Sequence, residues 1–298
     1  MLNENLTMLT DYYELCMANG YFQNCMQNKT ACFDMFFRKV PDDGGFAIMA
    51  GVEQLIDYLK NLHFTEADIV YLRGRGFDER FLDYLRDFKF TCDVWAVPEG
   101  TPIFPGEPIV TVKGPVAQAQ LIETMLLLVI NHQSLIATKA SRIVRAAGGR
   151  AVMEFGSRRA QGASGAIYGA RATYIAGCVG TACTITDREF GVPALGTMAH
   201  SWIQLFDKEL DAFESYAAQY PDNCVLLVDT YNALKSGVPN AIRCFDEVLR
   251  PMGKRPGGIR IDSGDITYLS KKARKMLDDA GYPDCKICAS NSLDEYLI

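Results

Sequence analysis

His200, Arg158, Arg159, Arg260, Asp229, Asp262 and Asp265 each stand at or just beyond the end of a short apolar run, and these are the side chains best placed to do chemistry. His200 lies in GTMAHSW (196–202), after a Gly-Thr turn that would present it at a strand end. A neutral imidazole there can act as base or nucleophile. The competing reading is a hydrogen-bonded core histidine, and His63 and His132 keep that reading. Asp229 in LLVDTYN, and Asp262 with Asp265 in RIDSGD, close two successive runs. Carboxylates at adjacent strand ends suit Mg²⁺ shared with a phosphate, or the hydroxyls of a ribose; capping of the following helix is the alternative, strongest for Asp265. The arginines offer a planar fork matched to carboxylate or phosphate, with structural ion pairs as the alternative. Phe155, in EFGSRR, adds a face for stacking. By contrast KKARK (271–275) reads as a solvated helix face, and the turns GASGA and GGIR match neither the dinucleotide fingerprint nor the P-loop. An anionic ring and a pyrophosphate-bearing sugar would together satisfy this set.

The elements that must position these residues begin after Gly149. Apolar runs at AVMEF (151–155), GTACTI (180–185), PALGT (193–197), CVLLVD (224–229), GGIRID (257–262) and KICAS (286–290) alternate with helical segments, mostly at the spacing of a strand plus its return helix. The pattern predicts parallel strands. A (β/α) barrel, rather than an open doubly wound sheet, would bring polar residues from this many strand C-termini to one rim. Ahead of it, LTDYYELCMANGYF reads as a helix, ACFDMFFRKV as a strand and AGVEQLIDYLKNL as a helix with Val52, Leu55, Ile56, Leu59 and Leu62 on one face. Thr65 and Asp68 form a capping box before a further helix. DVWAV, PIFP and PIVTV, broken by Pro and Gly, read as a set of hairpins, and 116–147 as a long helical stretch. The predicted organisation is an N-terminal α/β domain over 1–135 and an irregular, TIM-like α/β barrel over 136–298, incomplete in this chain.

Composition narrows the function classes. Of 298 residues, 49% are hydrophobic and 22% charged, enough to bury a large core. The formal net charge of −6 supplies no basic field for nucleic acid or anionic lipid. Met125 to Ile130, the most apolar run, is far shorter than a bilayer span. With a polar, acidic start and no leader pattern, the expectation is a cytoplasmic protein that binds neither nucleic acid nor membrane. Ten scattered cysteines fit reduced thiols in a core. The one C-x-x-C, Cys285 and Cys288, lies in a strand-like run that points them to opposite faces.

Taken in order, TDYYELCMA (10–18), EFGSRRAQG (154–162), GTMAHSW (196–202), VDTYN (228–232), IRIDSGD (259–265) and ASNSLDEY (289–296) carry a resemblance to the nicotinate phosphoribosyltransferase family along the whole chain. The resemblance implies a type II phosphoribosyltransferase that makes nicotinate mononucleotide and pyrophosphate from nicotinate and phosphoribosyl pyrophosphate, for NAD biosynthesis. It implies ATP as co-substrate, with coupling through a phosphohistidine at His200. It implies nicotinate binding by Phe155, Thr197, Arg260 and a Tyr13 that completes the site of a partner in a homodimer. It assigns phosphate to Arg158, ribose hydroxyls and Mg²⁺-pyrophosphate to Asp229 and Asp262, with Asp262 a possible metal ligand. Ala182, in GTAC, stands where nicotinamide-using relatives carry Asp, and its lack of charge favours the acid over the amide.

Members of the resembled family continue beyond the position of Ile298, so the expectation at this stage is an unclosed barrel, poor stability and little turnover. The alternatives are an inactive or binding-only fragment, and a quinolinate or nicotinamide phosphoribosyltransferase.

Overall fold

In the computed structural model, which describes residues 5–298, the chain packs as two compact units, one ending at Leu195 and one running from Gly196 to Ile298. The 135/136 division drawn from sequence falls inside a helix, Glu123–Ala146.

The first unit opens with α1 (Tyr12–Gln23), β1 (Thr30–Met35), β2 (Ala47–Ile48), α2 (Val52–Asn61), α3 (Glu66–Gly74) and α4 (Glu79–Arg86). The capping box at α3 forms as predicted, Thr65 accepting from the Asp68 amide and the Asp68 carboxylate from the Thr65 amide. On α2, Leu55 is buried but Ile56 is exposed, and Tyr58 takes its place on the buried stripe. Helix α4 carries no sequence expectation; its eight residues bury Phe81, Leu82 and Leu85 on one face.

β3 (Asp93–Ala96), β4 (Pro102–Ile103) and β5 (Val110–Pro115) follow, but not as local hairpins. β5 lies between β1 and β3, antiparallel to both, while β4 pairs antiparallel with β2. The long helical stretch divides at Ile122 into α5 (Val116–Leu121) and α6 (Glu123–Ala146). Hydroxyls on α6 satisfy the backbone beside β2: the Ile48 amide donates to Thr138 Oγ1 at 2.8 Å and the Ala50 amide to Ser134 Oγ at 3.0 Å. Then come β6 (Met153–Glu154), α7 (Gly162–Ile175), β7 (Gly180–Thr181) and α8 (Thr184–Phe190). β6 and β7 are parallel, and Thr181 bridges in parallel to Ala194. GTACTI therefore contributes only Gly180 and Thr181 as strand, and PALGT a single bridging residue. Arg171 of α7 is held by Glu53 and Glu99, and Glu99 also accepts the Gly51 and Val52 amides at the start of α2.

Glu14 on α1 is fully buried, accepting from the Thr10 hydroxyl and from the amide and hydroxyl of Thr124. Burial raises its pKa above the usual carboxylate range, and the hydrogen bonds offset this only in part. A raised folded-state pKa gives stability that is complete below the unfolded value and lost as pH rises through the folded one. Glu14→Gln is therefore expected to be more stable than the parent at neutral pH and to show a flatter rise in stability on acidification. Urea unfolding over roughly pH 4 to 8 reads both effects; parallel curves for parent and variant would contradict them.

The second unit holds α9 (His200–Gln204), α10 (Glu209–Gln219), β8 (Val225–Leu227), α11 (Val238–Cys244) flanked by single π-helical turns, β9 (Gly258–Ile261), α12 (Ile266–Asp279) and β10 (Lys286–Ala289). The strands form one parallel sheet in the order β10-β9-β8, with Gly258 in register with both Val225 and Lys286. Leu226, Leu227, Ile259 and Ile261 are fully buried with Phe213, Phe245 and Leu277 from the helices, which is the layered core that a parallel sheet requires. Among the described residues the strands after Gly149 thus pair as two parallel arrays. Arg274, in KKARK, departs from the solvated reading by donating to the carbonyls of Tyr282 and Cys285. Asp265 is the cap it was read as, accepting from the Tyr268 amide at 2.9 Å. Cys285 is buried, Cys288 half-buried, and both are free thiols.

Gly237 enables a close approach in this unit. A Cβ there would fall 1.7 Å from the Val228 carbonyl oxygen, which is main chain and has little freedom to yield. Gly237→Ala is expected to lower stability by about 2–4 kcal/mol, measurable by denaturant unfolding. A loss under about 0.5 kcal/mol would show that the backbone gives way more easily than close packing implies.

Candidate active site

β9 carries the centre of the cluster. Arg260 lies on β9 and Asp262 one residue beyond its end, still in step with the strand's alternation, and the Arg260 guanidinium donates from Nη2 to Asp262 Oδ1 at 2.7 Å. The rest of the fork is also engaged: Nε donates to Ser290 Oγ at 2.7 Å, and Nη1 to Thr197 Oγ1 at 3.0 Å and to the Met198 carbonyl at 3.3 Å. The Arg260 side chain is only 12% exposed. Ser290 Oγ in turn donates to Asp262 Oδ1 at 2.5 Å. Burial alone would raise the Asp262 pKa, but the bonds from Ser290 and Arg260, with the Arg260 and His200 charges, outweigh it and hold the carboxyl below its usual range.

His200 opens α9 and has a different neighbour at each ring nitrogen. Nδ1 shares a 3.0 Å hydrogen bond with Thr230 Oγ1, while Nε2 lies 3.5 Å from Asp262 Oδ2, an ion pair whenever the ring is protonated. The side chain is 38% exposed, so a ligand can reach it. Asp229, just beyond β8, takes the Asp262 amide at 3.0 Å and the Ser263 hydroxyl at 2.5 Å on Oδ2. Its Oδ1 is buried with no hydrogen-bond partner among the described residues, an acceptor that a donor or cation would satisfy. Asp229 is thus not a helix cap.

Thr197, His200, Asp229, Arg260 and Asp262 therefore meet as the sequence predicts. Three hydroxyls to which the sequence assigns no part in the site join them: Thr230, Ser263 and Ser290. The remaining predicted residues belong to the first unit. Phe155 and Arg158 lie directly after β6, where the Glu154 carboxylate accepts from Thr181 Oγ1 at 2.5 Å and from the Gly156 amide, which folds the chain into the short 3-10 turn Ser157–Arg159. Arg158 and Arg159 are exposed. Tyr13 is 46% exposed on α1, and partial burial with the adjoining Glu123 carboxylate pushes its phenol up to about 12. His132 is half-buried on α6 and its pKa is lowered by burial; His63 bonds through Nδ1 to the Asn61 carbonyl oxygen. Among the described residues no helix is long and apolar enough to cross a membrane.

The chain is thus a mixed α/β protein whose second unit gathers Arg, Asp and His side chains at the C-terminal ends of parallel strands. In structure it is similar to human nicotinic acid phosphoribosyltransferase, with a TM-score of 0.88 and 29% identity over 97% of this chain and 69% of that one. The nicotinate-nucleotide pyrophosphorylase of Pyrococcus furiosus, with a TM-score of 0.78 and 24% identity, shares the fold. A sequence profile of the nicotinate phosphoribosyltransferase N-terminal domain matches residues 8–131. The nicotinate phosphoribosyltransferase of Bacillus subtilis is 46% identical over 99% of this chain and 60% of its own length; one from Mycobacterium tuberculosis is 45% identical over 97% and 61%. Over nearly its whole length the chain is similar to members of the nicotinate phosphoribosyltransferase family. It spans about 60% of the length of these curated relatives.

Proposed function

We propose that the protein carrying this chain forms nicotinate mononucleotide and pyrophosphate from nicotinate and phosphoribosyl pyrophosphate, driven by ATP through phosphorylation of His200. The observation that carries the reading is the Arg260–Asp262–His200 cluster with Asp229 beside it. In the transfer, the bond from ribose C1 to the pyrophosphate oxygen breaks and a bond from C1 to the pyridine nitrogen forms, so positive charge grows on the sugar and negative charge on the leaving group. Arg260 would turn its Nη1 edge from the neutral oxygens of Thr197 and Met198 to the ring carboxylate, a charge-assisted and therefore stronger partner. That aims the ring nitrogen at C1. Asp229 Oδ1, which lacks a partner, would accept a ribose hydroxyl.

Among the described residues no cluster of three or more metal-ligating side chains forms. Asp262, with the unpartnered Asp229 Oδ1 nearby, would suit Mg²⁺ bound by one or two carboxylates, with pyrophosphate and water completing its shell. Bound there, the ion would neutralise charge growing on the departing pyrophosphate. Phosphorylating His200 would add charge beside Asp262 and Arg260 and reset how they share the fork. Phe155 would stack on the ring, Arg158 would bind phosphate and Tyr13 would complete the site of a partner in a homodimer. Ala182, uncharged where nicotinamide-using relatives carry Asp, would favour the acid over the amide.

Pyrophosphate release measured with nicotinate and phosphoribosyl pyrophosphate, with and without ATP, tests the whole reading. Release that depends on nicotinate and is stimulated by ATP supports it. No release with nicotinate, or equal use of nicotinamide, would overturn it.

A further inference from the structure

We propose that Ser290 is a positioning residue that keeps Arg260 and Asp262 from closing into a bidentate ion pair, holding the fork in the orientation from which its Nη1 edge can turn to a substrate carboxylate. This rests on the reading of Arg260 as the ring-carboxylate ligand. The main-chain position of Ser290 is set by the sheet: Cys288 and Ala289 are in register with Arg260 and Ile261, and the Ser290 amide donates to the Ile261 carbonyl at 3.0 Å. The hydroxyl therefore stands beside Asp262 at the end of the ladder.

Its two hydrogen-bonding capacities are used in opposite directions. Oγ accepts Arg260 Nε–H at 2.7 Å and donates to Asp262 Oδ1 at 2.5 Å. Arg260 then meets Asp262 through Nη2, and Asp262 keeps Oδ2 turned toward His200. An arginine and a carboxylate this close ordinarily prefer two parallel bonds. Without the hydroxyl, Nε–H on a side chain only 12% exposed loses the acceptor that Ser290 supplies, and Asp262, already bonded to Nη2, offers a second oxygen. The fork would rotate into it, spending on Asp262 the charge that would hold the ring and withdrawing Oδ2 from His200. A side chain that both accepts and donates at that point is required; alanine does neither and threonine does both.

Arginine Nε–H exchange, with the Arg260 resonance assigned by its loss in Arg260→Lys, is to be recorded by NMR for the parent, Ser290→Ala and Ser290→Thr, together with calorimetric titration of nicotinate and nicotinamide. The expected result is a shift and altered exchange of the Arg260 Nε–H in Ser290→Ala, with nicotinate affinity about tenfold weaker, nicotinamide affinity unmoved and melting temperature unchanged. Ser290→Thr is expected to restore the parent's behaviour in both measurements. Arg260 Nε–H left as in the parent by Ser290→Ala, undiminished nicotinate affinity where the parent binds it, or a threonine variant that behaves like alanine would each overturn the proposal. A parent that binds no nicotinate would defeat the functional reading alone, since the Nε–H signal still decides whether Ser290 holds the fork.

Discussion

Replacing His200 with alanine is expected to abolish phosphate incorporation from ATP and all ATP stimulation of nicotinate mononucleotide formation, while ATP-independent transfer continues. A neutral imidazole is a strong phosphoryl acceptor at neutral pH and later releases the group readily to water, whereas Arg260 holds no lone pair to attack with. The cost in folding is expected to be small, within about 1 kcal/mol. His200 is 38% exposed and Asp262 32%, so water replaces the contacts to Thr230 Oγ1 and Asp262 Oδ2. Labelled ATP followed by acid-labile phosphate analysis, beside a thermal melt, separates chemistry from collapse. Label retained at full level in the alanine variant would remove His200 from the mechanism.

Arg260→Lys is the second large effect. Lysine keeps the charge but replaces a rigid fork with one flexible ammonium, which cannot at once serve Ser290, Thr197, the Met198 carbonyl and Asp262. Losing charge-assisted bonds of about 1.5–3 kcal/mol each is expected to weaken nicotinate binding roughly a hundredfold and to lower stability by about 1–3 kcal/mol. Nicotinamide, which carries no charge for the fork, is expected to be little affected, so discrimination between acid and amide shrinks. Titration of both ligands reads this directly; nicotinate affinity within about twofold of the parent would show that Arg260 is structural only.

The strand-end chemistry was legible because a buried parallel strand is apolar until it ends. A polar residue that terminates such a run, as Asp229, Arg260 and Asp262 do, is therefore conspicuous. Hydroxyls are not: Thr230 and Ser263 are ordinary in any turn, and only the fold reveals that they touch His200 and Asp229. Short elements were lost for a related reason. Helix α4 is too brief for a periodicity to stand out, and β2 and β4, two residues each, are defined by a partner distant in sequence. TACTI looks extended because threonine and isoleucine favour strands, yet α8 begins at Thr184, a case of tertiary context overriding local preference. On α2 the apolar pattern holds at Val52, Leu55, Leu59 and Leu62 and departs only at Ile56, which is exposed while the Tyr58 ring is buried.

The Asp262 amide, bonded to Asp229 Oδ2, extends the β8–β9 ladder by one rung made from a side chain. The preceding rung is main chain, the Val228 amide on the Arg260 carbonyl. A ligand that pulled Asp229 away would therefore fray the sheet at its last step, and one that used only the unpartnered Oδ1 would leave that rung closed. Hydrogen exchange at a single amide thus distinguishes a ligand that borrows the carboxylate from one that displaces it, and couples occupancy of the site to the local opening free energy of the sheet.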